Sequence, residues 1–170
     1  QFLIDRDAEL TIVDAKGLQA KDSNNLSDPF IIVKVLNQQG GTLIKSTTPV
    51  IRKTLTPTWN HKIRLTKDIV QNLANVYIEC YDYDMVSFND FLGEANIDRG
   101  SLEDSLFDHQ QDNLHALSQR AGGGVEPNDI ILHLRPKKRG DGVIPSLSLG
   151  TVRLRIKLMP QEWRVFRDYV

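Results

Sequence analysis

Short runs of alternating apolar and polar residues, broken by turn-forming positions, dominate the chain. AELTIVDA, at 8–15, alternates and is rich in strand formers. PFIIVKVL, at 29–36, is a continuous apolar run of the kind a buried strand presents. The QQGG step at 38–41 supplies glycines for the positive φ of a turn. GTLIKSTTPVI at 41–51 and WNHKIRLT at 59–66 are further strand candidates. Between them lies a corner, where Pro57 confines Thr56 to extended geometry. VYIECYDYD, at 76–84, places Val76, Ile78 and Cys80 on one face, and FLGEANID continues the series at 91–98. Two more alternating runs close the pattern: Ile130, Leu132 and Leu134 oppose Ile131, His133 and Arg135, and Val152, Leu154, Ile156 and Leu158 oppose Arg153, Arg155 and Lys157. This spacing predicts an all-β fold, an antiparallel sandwich of eight strands.

One stretch departs from period two. Over 101–118, Leu102, Leu106, Asn113, Leu114 and Leu117 share a helical face, with Ser101 as candidate cap and Asp104 reaching back to it. A glycine-rich loop, RAGGGVEPND, follows at 120–129. The pattern therefore predicts a single domain over 1–160, with a helical and glycine-rich insertion at about 101–129. A tail at 161–170 is expected to lead into a larger protein.

Composition adds mainly exclusions. Hydrophobic residues at 40% and charged residues at 25% fall in the ordinary globular range. A net charge of −1 gives no reason to expect nucleic acid as a partner. Cys80, the single cysteine, has no partner for an internal disulfide, which suits a reducing, cytoplasmic compartment; its apolar neighbours predict a buried, inert thiol. No signal peptide is visible, and no apolar stretch approaches the ~20 residues a bilayer span requires. The histidines lack metal spacing, and neither a nucleophile–histidine arrangement nor a phosphate-cradling loop is present, so the segment is not expected to be an enzyme.

Two aspartate clusters carry the candidate chemistry. Asp22 and Asp28 follow the first strand, and Asp82, Asp84 and Asp90 follow the run at 76–84. If both loops aim at one point, the carboxylates repel; unit charges about 4 Å apart do so by roughly 1 kcal/mol even in water. A hard cation relieves this, and calcium accepts six to eight oxygen ligands at flexible geometry. The competing reading is that these aspartates serve as turn residues. An EF-hand is excluded, because counting from Asp82 the sixth position is Ser87 rather than glycine and the twelfth is Gly93 rather than glutamate.

The strings AELTIVDAKGLQAKDSNNLSDPFIIVKV, IRKTLTPTWN and YDYDMVSFNDFLGEA resemble the C2 domain, a calcium- and phospholipid-binding β-sandwich. The closing strand GTVRLRIKL, with no additional strand ahead of the first, is similar to the permuted, type II arrangement. GLQAKD and LSLGTVRLRIKL are similar to the central C2 domain of the Unc/Munc vesicle-priming factors. The resemblance implies two or three calcium ions held by Asp22, Asp28, Asp82, Asp84 and Asp90. It also implies backbone carbonyls of Lys21 and Tyr83 as ligands, and Ser87 as a hydroxyl near a peripheral ion. It implies a peripheral role on anionic membranes rich in phosphatidylserine, in vesicle trafficking or exocytosis.

Met85, Val86 and Phe88 sit between Asp84 and Asp90, and the resemblance makes this tip the membrane contact, with Leu26 the apolar candidate of the first loop. Alternatively, Phe88 folds back onto the sandwich. Phosphoinositides are a further candidate ligand. The lysine-rich strand used in such members is thinned here to Lys45, Arg52 and Lys53, with Thr47 and Pro49 at positions where lysines are usual. A second basic cluster, Arg135, Lys137, Lys138 and Arg139, is either a lipid contact or a solvated strand end. Two other roles stay open: a protein-docking module using the 101–129 insertion, and the membrane address of a larger enzyme.

Overall fold

The computed structural model describes residues 4–112, 129–138, 140–142 and 147–160, with backbone only over 107–112. Among the described residues, eight strands form two four-stranded sheets of antiparallel pairs. They are β1 (Ala8–Lys16), β2 (Pro29–Leu36), β3 (Thr42–Thr47), β4 (Thr58–Leu65), β5 (Asn75–Asp82), β6 (Asp90–Asp98), β7 (Ile130–His133) and β8 (Thr151–Leu158), with helices α1 (Lys67–Asn72) and α2 (Arg99–Asp112). The sheet orders are β4-β1-β8-β7 and β3-β2-β5-β6. The last strand lies beside the first, the permuted order that the closing amphipathic run implies. The faces that meet carry the apolar half of each alternation: Leu10, Ile12 and Leu154 from one sheet, Ile31, Ile78 and Cys80 from the other, all fully buried. Burial raises the Cys80 thiol well above its ordinary pKa, so the thiol stays protonated and inert.

Several local departures place the loops. In β1 the register shifts between Ile12 and Asp14, so Val13 is a bulge residue and Asp14 turns outward to Arg153 on β8, with Arg153 Nε 3.1 Å from Asp14 Oδ1. In β6 Leu92 is the extra residue opposite Cys80 and Tyr81. Gly93 beside it has φ +150°, and a Cβ there would lie 2.7 Å from Leu134 Cβ; only glycine fits this close approach. The run at 129–138 is shorter as a strand than its alternation predicts. It pairs with β8 only to His133, then crosses to the other sheet through a bridge between Arg135 and Glu94.

The helix at 101–118 requires a correction. It begins at Arg99, and the cap is Asp98, not Ser101: Asp98 Oδ1 accepts the Ser101 N–H at 2.8 Å. β6 runs straight into the helix, so its last residue supplies the capping carboxylate and Ser101 falls inside the first turn. Leu102 and Leu106 are buried as their spacing predicts. Positions 113–118, the glycine-rich loop up to 128, Arg139 and the tail at 161–170 lie outside the described residues. The six-residue α1 has no counterpart in the sequence reading. Arg99 fastens it, donating from Nη1 to the carbonyls of Val70 at 2.5 Å and Leu73 at 2.9 Å.

Candidate metal centre

Three loops meet at one end of the sandwich: 17–28 between β1 and β2, 48–57 between β3 and β4, and 83–89 between β5 and β6. The first is braced from below. The corner around Pro57 accepts the Ala15 N–H at 3.0 Å, and Leu55 O accepts the Leu18 N–H at 3.4 Å. Inside the loop, Ser27 is completely buried; its hydroxyl accepts the Lys21 N–H at 3.1 Å and donates to Gln19 O at 2.7 Å. Leu26 O accepts from both Lys21 and Asp22, and Asn25 turns the chain at φ 60°. Asp22 is thereby presented at the loop mouth and Asp28 at the entry to β2.

The middle loop is pinned along β2. Thr48 and Ile31 exchange two hydrogen bonds of 2.9 Å, one through the Thr48 hydroxyl, and Thr54 donates to Ser27 O at 2.8 Å. Lys53, at φ 53°, aims its N–H at Asp28 Oδ1, 2.7 Å away. The Arg52 guanidinium stands 4.0 Å from Asp28 Oδ2 and 5.9 Å from the centre of the Tyr83 ring.

Asp82 ends β5 and is 1% exposed. The Asp28 N–H donates to its Oδ1 at 2.7 Å, while Tyr83 donates its own N–H to Asp28 O at 2.9 Å. One ligand oxygen each from Asp22, Asp28 and Asp82 lies within 4.8 Å of the others. Burial, followed by the charges of Asp22, Asp28 and Asp90, holds the Asp82 carboxyl above its ordinary pKa. Asp28 and Asp82 thus each have one oxygen tied to a backbone N–H. Such an oxygen-only set, charged and crowded, fits a hard divalent cation.

The remaining predicted ligands are arranged differently. Asp90 pairs directly with Asp82 across β5 and β6 and contributes to its raised pKa, but stands outside that close group of three. Asp84 turns toward the loop tip. Its Oδ1 accepts from Val86 N at 2.8 Å and Ser87 N at 3.3 Å, and its Oδ2 from the Ser87 hydroxyl at 2.7 Å. These bonds, the Val86 N–H foremost, lower its pKa. Asn89 accepts the Asp84 N–H at 2.9 Å and closes the loop. Val86 and Phe88 are 95% exposed and Met85 75%, so Phe88 does not fold back onto the sandwich. Leu26 is half-buried.

The strand thinned in lysine lies on the outer face of the second sheet. There Lys45 pairs opposite Lys34, whose Nζ is 3.5 Å from Glu79 Oε1. Glu79 faces Glu94 on the next strand, and each accepts a tyrosine hydroxyl, Tyr81 for Glu79 and Tyr77 for Glu94. Lys137 sits 4.8 Å above the Phe91 ring. The aspartates were legible in the sequence, whereas the bracing roles of Ser27, Lys53 and Asn89 were not; Lys53 stood out only as a basic residue. The serine of SDPF offered a turn signal; a backbone N–H aimed by a lysine at positive φ offered none.

A family model for the C2 domain matches residues 6–115. The chain belongs to the C2 domain family. A C2 domain of plant extended synaptotagmin 1 superposes with a TM-score of 0.59 at 18% identity, covering 92% of this chain and 95% of that one, which shows the shared fold. Among curated relatives, this C2 domain is 34% identical over 100 residues to mouse piccolo, covering 53% of the chain and 2% of piccolo. It is 32% identical over 143 residues to human Ras GTPase-activating protein 4, covering 80% of the chain and 16% of that protein. A C2 domain-containing protein of Dictyostelium discoideum is 38% identical over 82 residues, or 46% of this chain and 40% of that protein. The chain therefore spans less than half the length of each of these curated relatives. Among the described residues no helix is long and apolar enough to cross a membrane.

Proposed function

We propose that this C2 domain is a non-catalytic, calcium-dependent module that brings a larger protein to anionic phospholipid, phosphatidylserine above all, as a peripheral membrane component in the cytoplasm. Vesicle trafficking or exocytosis is the process it serves. The observation that carries the proposal is a juxtaposition: carboxylate oxygens of Asp22 and Asp28 in the first loop and of Asp82 at the end of β5, within 4.8 Å of one another, beside a tip whose Val86 and Phe88 are 95% exposed. Asp22, Asp28 and Asp82 form the centre of the ion site. Asp90 and Asp84 complete it, with the Lys21 and Tyr83 carbonyls and Ser87 at its margin, for two or three ions. Bound calcium supplies positive charge that cancels the carboxylates and leaves coordination positions for lipid oxygens. The tip then enters the interface, where one apolar side chain contributes about 1.5–3 kcal/mol.

Co-sedimentation with phosphatidylserine vesicles tests this. Binding is expected with calcium and absent in EDTA; equal binding in both, or in neither, would refute the proposal.

A further inference from the structure

Resting on the membrane reading above, we infer that the chain leaving β7 makes a further contact at the calcium end, where Lys137 and Lys138 take the anionic headgroups of a phosphatidylserine-rich bilayer. Register places this chain. Lys16, the last residue of β1 before the first acidic loop, pairs with Thr151 on β8, and Thr151 pairs in turn with His133, the last residue of β7. Residues 134–138 and 147–150 therefore emerge at the same end as the loops that carry the aspartates. Backbone contacts seat them there. Leu134 donates its N–H to Gly150 O at 2.9 Å, and its carbonyl accepts the Leu149 N–H at 2.8 Å. Gly150, at φ +113°, lies so close to the first loop that a Cβ would stand 2.7 Å from Lys16 O.

The basic run then follows the edge of β6. Arg135 and Glu94 exchange backbone hydrogen bonds of 2.7 and 2.9 Å in an antiparallel bridge, so the residues after Arg135 run back toward Asp90, where the strand starts. Pro136 confines Arg135 to extended geometry. Lys137 reaches Phe91, the neighbour of Asp90, with its Nζ 4.8 Å from the ring centre. Lys137 and Lys138 are both exposed, and among the described residues no carboxylate pairs with either ammonium. This sets them apart from Lys34 on the sheet face, which Glu79 engages. Leu147, 60% exposed, adds an apolar side chain at the same end. Fixed positive charge, an acidic centre that a cation neutralises and an apolar tip thus share one end, the complement of an anionic leaflet. Lysines are point charges without the fork of a guanidinium, so the contact reads surface charge rather than one headgroup. Without calcium the nearby carboxylates offset their attraction; with calcium the lysines add to it.

The experiment is co-sedimentation of the whole chain with vesicles of phosphatidylserine and phosphatidylcholine, in saturating calcium and in EDTA. For Lys137→Gln/Lys138→Gln, affinity in calcium is expected to fall about 5- to 25-fold, up to about fivefold for each basic residue near an anionic leaflet, and to depend less steeply on salt. Lys137→Arg/Lys138→Arg should bind as the unaltered chain does. Replacing phosphatidylserine by phosphatidylglycerol at equal charge should leave the ratio between the proteins the same. Unchanged affinity in the glutamine variant overturns the inference and leaves both lysines as a solvated strand end. An equal loss in the arginine variant also overturns it, because charge is then not what the membrane reads. In both cases calcium-dependent binding of the unaltered chain still upholds the calcium reading. Conversely, binding that is equal in calcium and EDTA but falls in the glutamine variant keeps the lysine contact and overturns the calcium reading. Binding in neither condition overturns both.

Discussion

At the scale of single residues, Asp82 concentrates the tension in the site. It is buried, its neighbours are carboxylates, and its pKa is raised from 3.8. The folded chain therefore holds a proton there more tightly than the unfolded chain does. The stability this group contributes is complete below about 3.8 and declines as pH rises through the higher folded value. Asp82→Asn keeps the Oδ1 acceptor for the Asp28 N–H and removes the charge. In EDTA at pH 7 the variant should melt at or above the unaltered chain, and the difference should close toward pH 4. Calcium reverses the order. At a hundredfold excess over Kd, binding adds about 2.7 kcal/mol, or roughly 5–10 °C in a domain of this size, and only the unaltered chain gains it. A full calcium shift in Asp82→Asn, read by calorimetric melting, would remove Asp82 from the ligand set. The identity of the acids was legible because aspartates after strand-like runs stand out in a sequence. Their orientation was not, because it depends on which backbone N–H each oxygen meets: Lys53 for Asp28, Val86 for Asp84.

At the scale of elements, period-two alternation located the strands because each of them buries one face. It missed the Val13 bulge, at the end of four successive buried residues from Leu10 to Val13, and it extended the run after Ile130 beyond the point where the chain changes sheets. The six-residue α1 is too short to show a helical period, and its stability comes from outside itself. Thr66, at its N-cap position, makes no side-chain capping bond, while the Arg99 guanidinium satisfies the carbonyls of Val70 and Leu73 and pairs with Glu103 at 2.7 Å. Arg99→Ala leaves those carbonyls without their partner and is expected to destabilise the domain by about 2–4 kcal/mol, measured by urea denaturation. Because α1 and α2 lie at the far end of the strands from the acidic loops, calcium affinity of the folded variant should be unchanged. A change of less than 0.5 kcal/mol (roughly the scatter of neutral surface substitutions) would show that Arg99 is not the fastening.

At the scale of the whole molecule, the domain is polarised: acids and exposed apolar side chains share one end, while the outer face of the β3-β2-β5-β6 sheet is close to neutralised. This polarity ranks the two routes to a membrane. Lys45 is the exposed lysine of β3, but Lys34 opposite it is engaged by Glu79, and Glu94 adds a second carboxylate to the same face. A multivalent phosphate headgroup meets both signs of charge there. The tip meets no such opposition once its carboxylates are neutralised. Phe88→Ala should therefore weaken calcium-dependent binding to phosphatidylserine vesicles by about 10- to 150-fold, the equivalent of one buried apolar side chain, while calcium calorimetry without lipid stays unchanged. Lys45→Ala should weaken it by no more than about fivefold, since a basic residue near an anionic leaflet contributes at most about 1 kcal/mol. Adding phosphatidylinositol bisphosphate to the vesicles should raise affinity little in either protein. The reverse ranking, with Lys45→Ala the more damaging and the phosphoinositide strongly favourable, would move the membrane contact from the loop tip to the sheet face, and with it the orientation of the domain on the lipid.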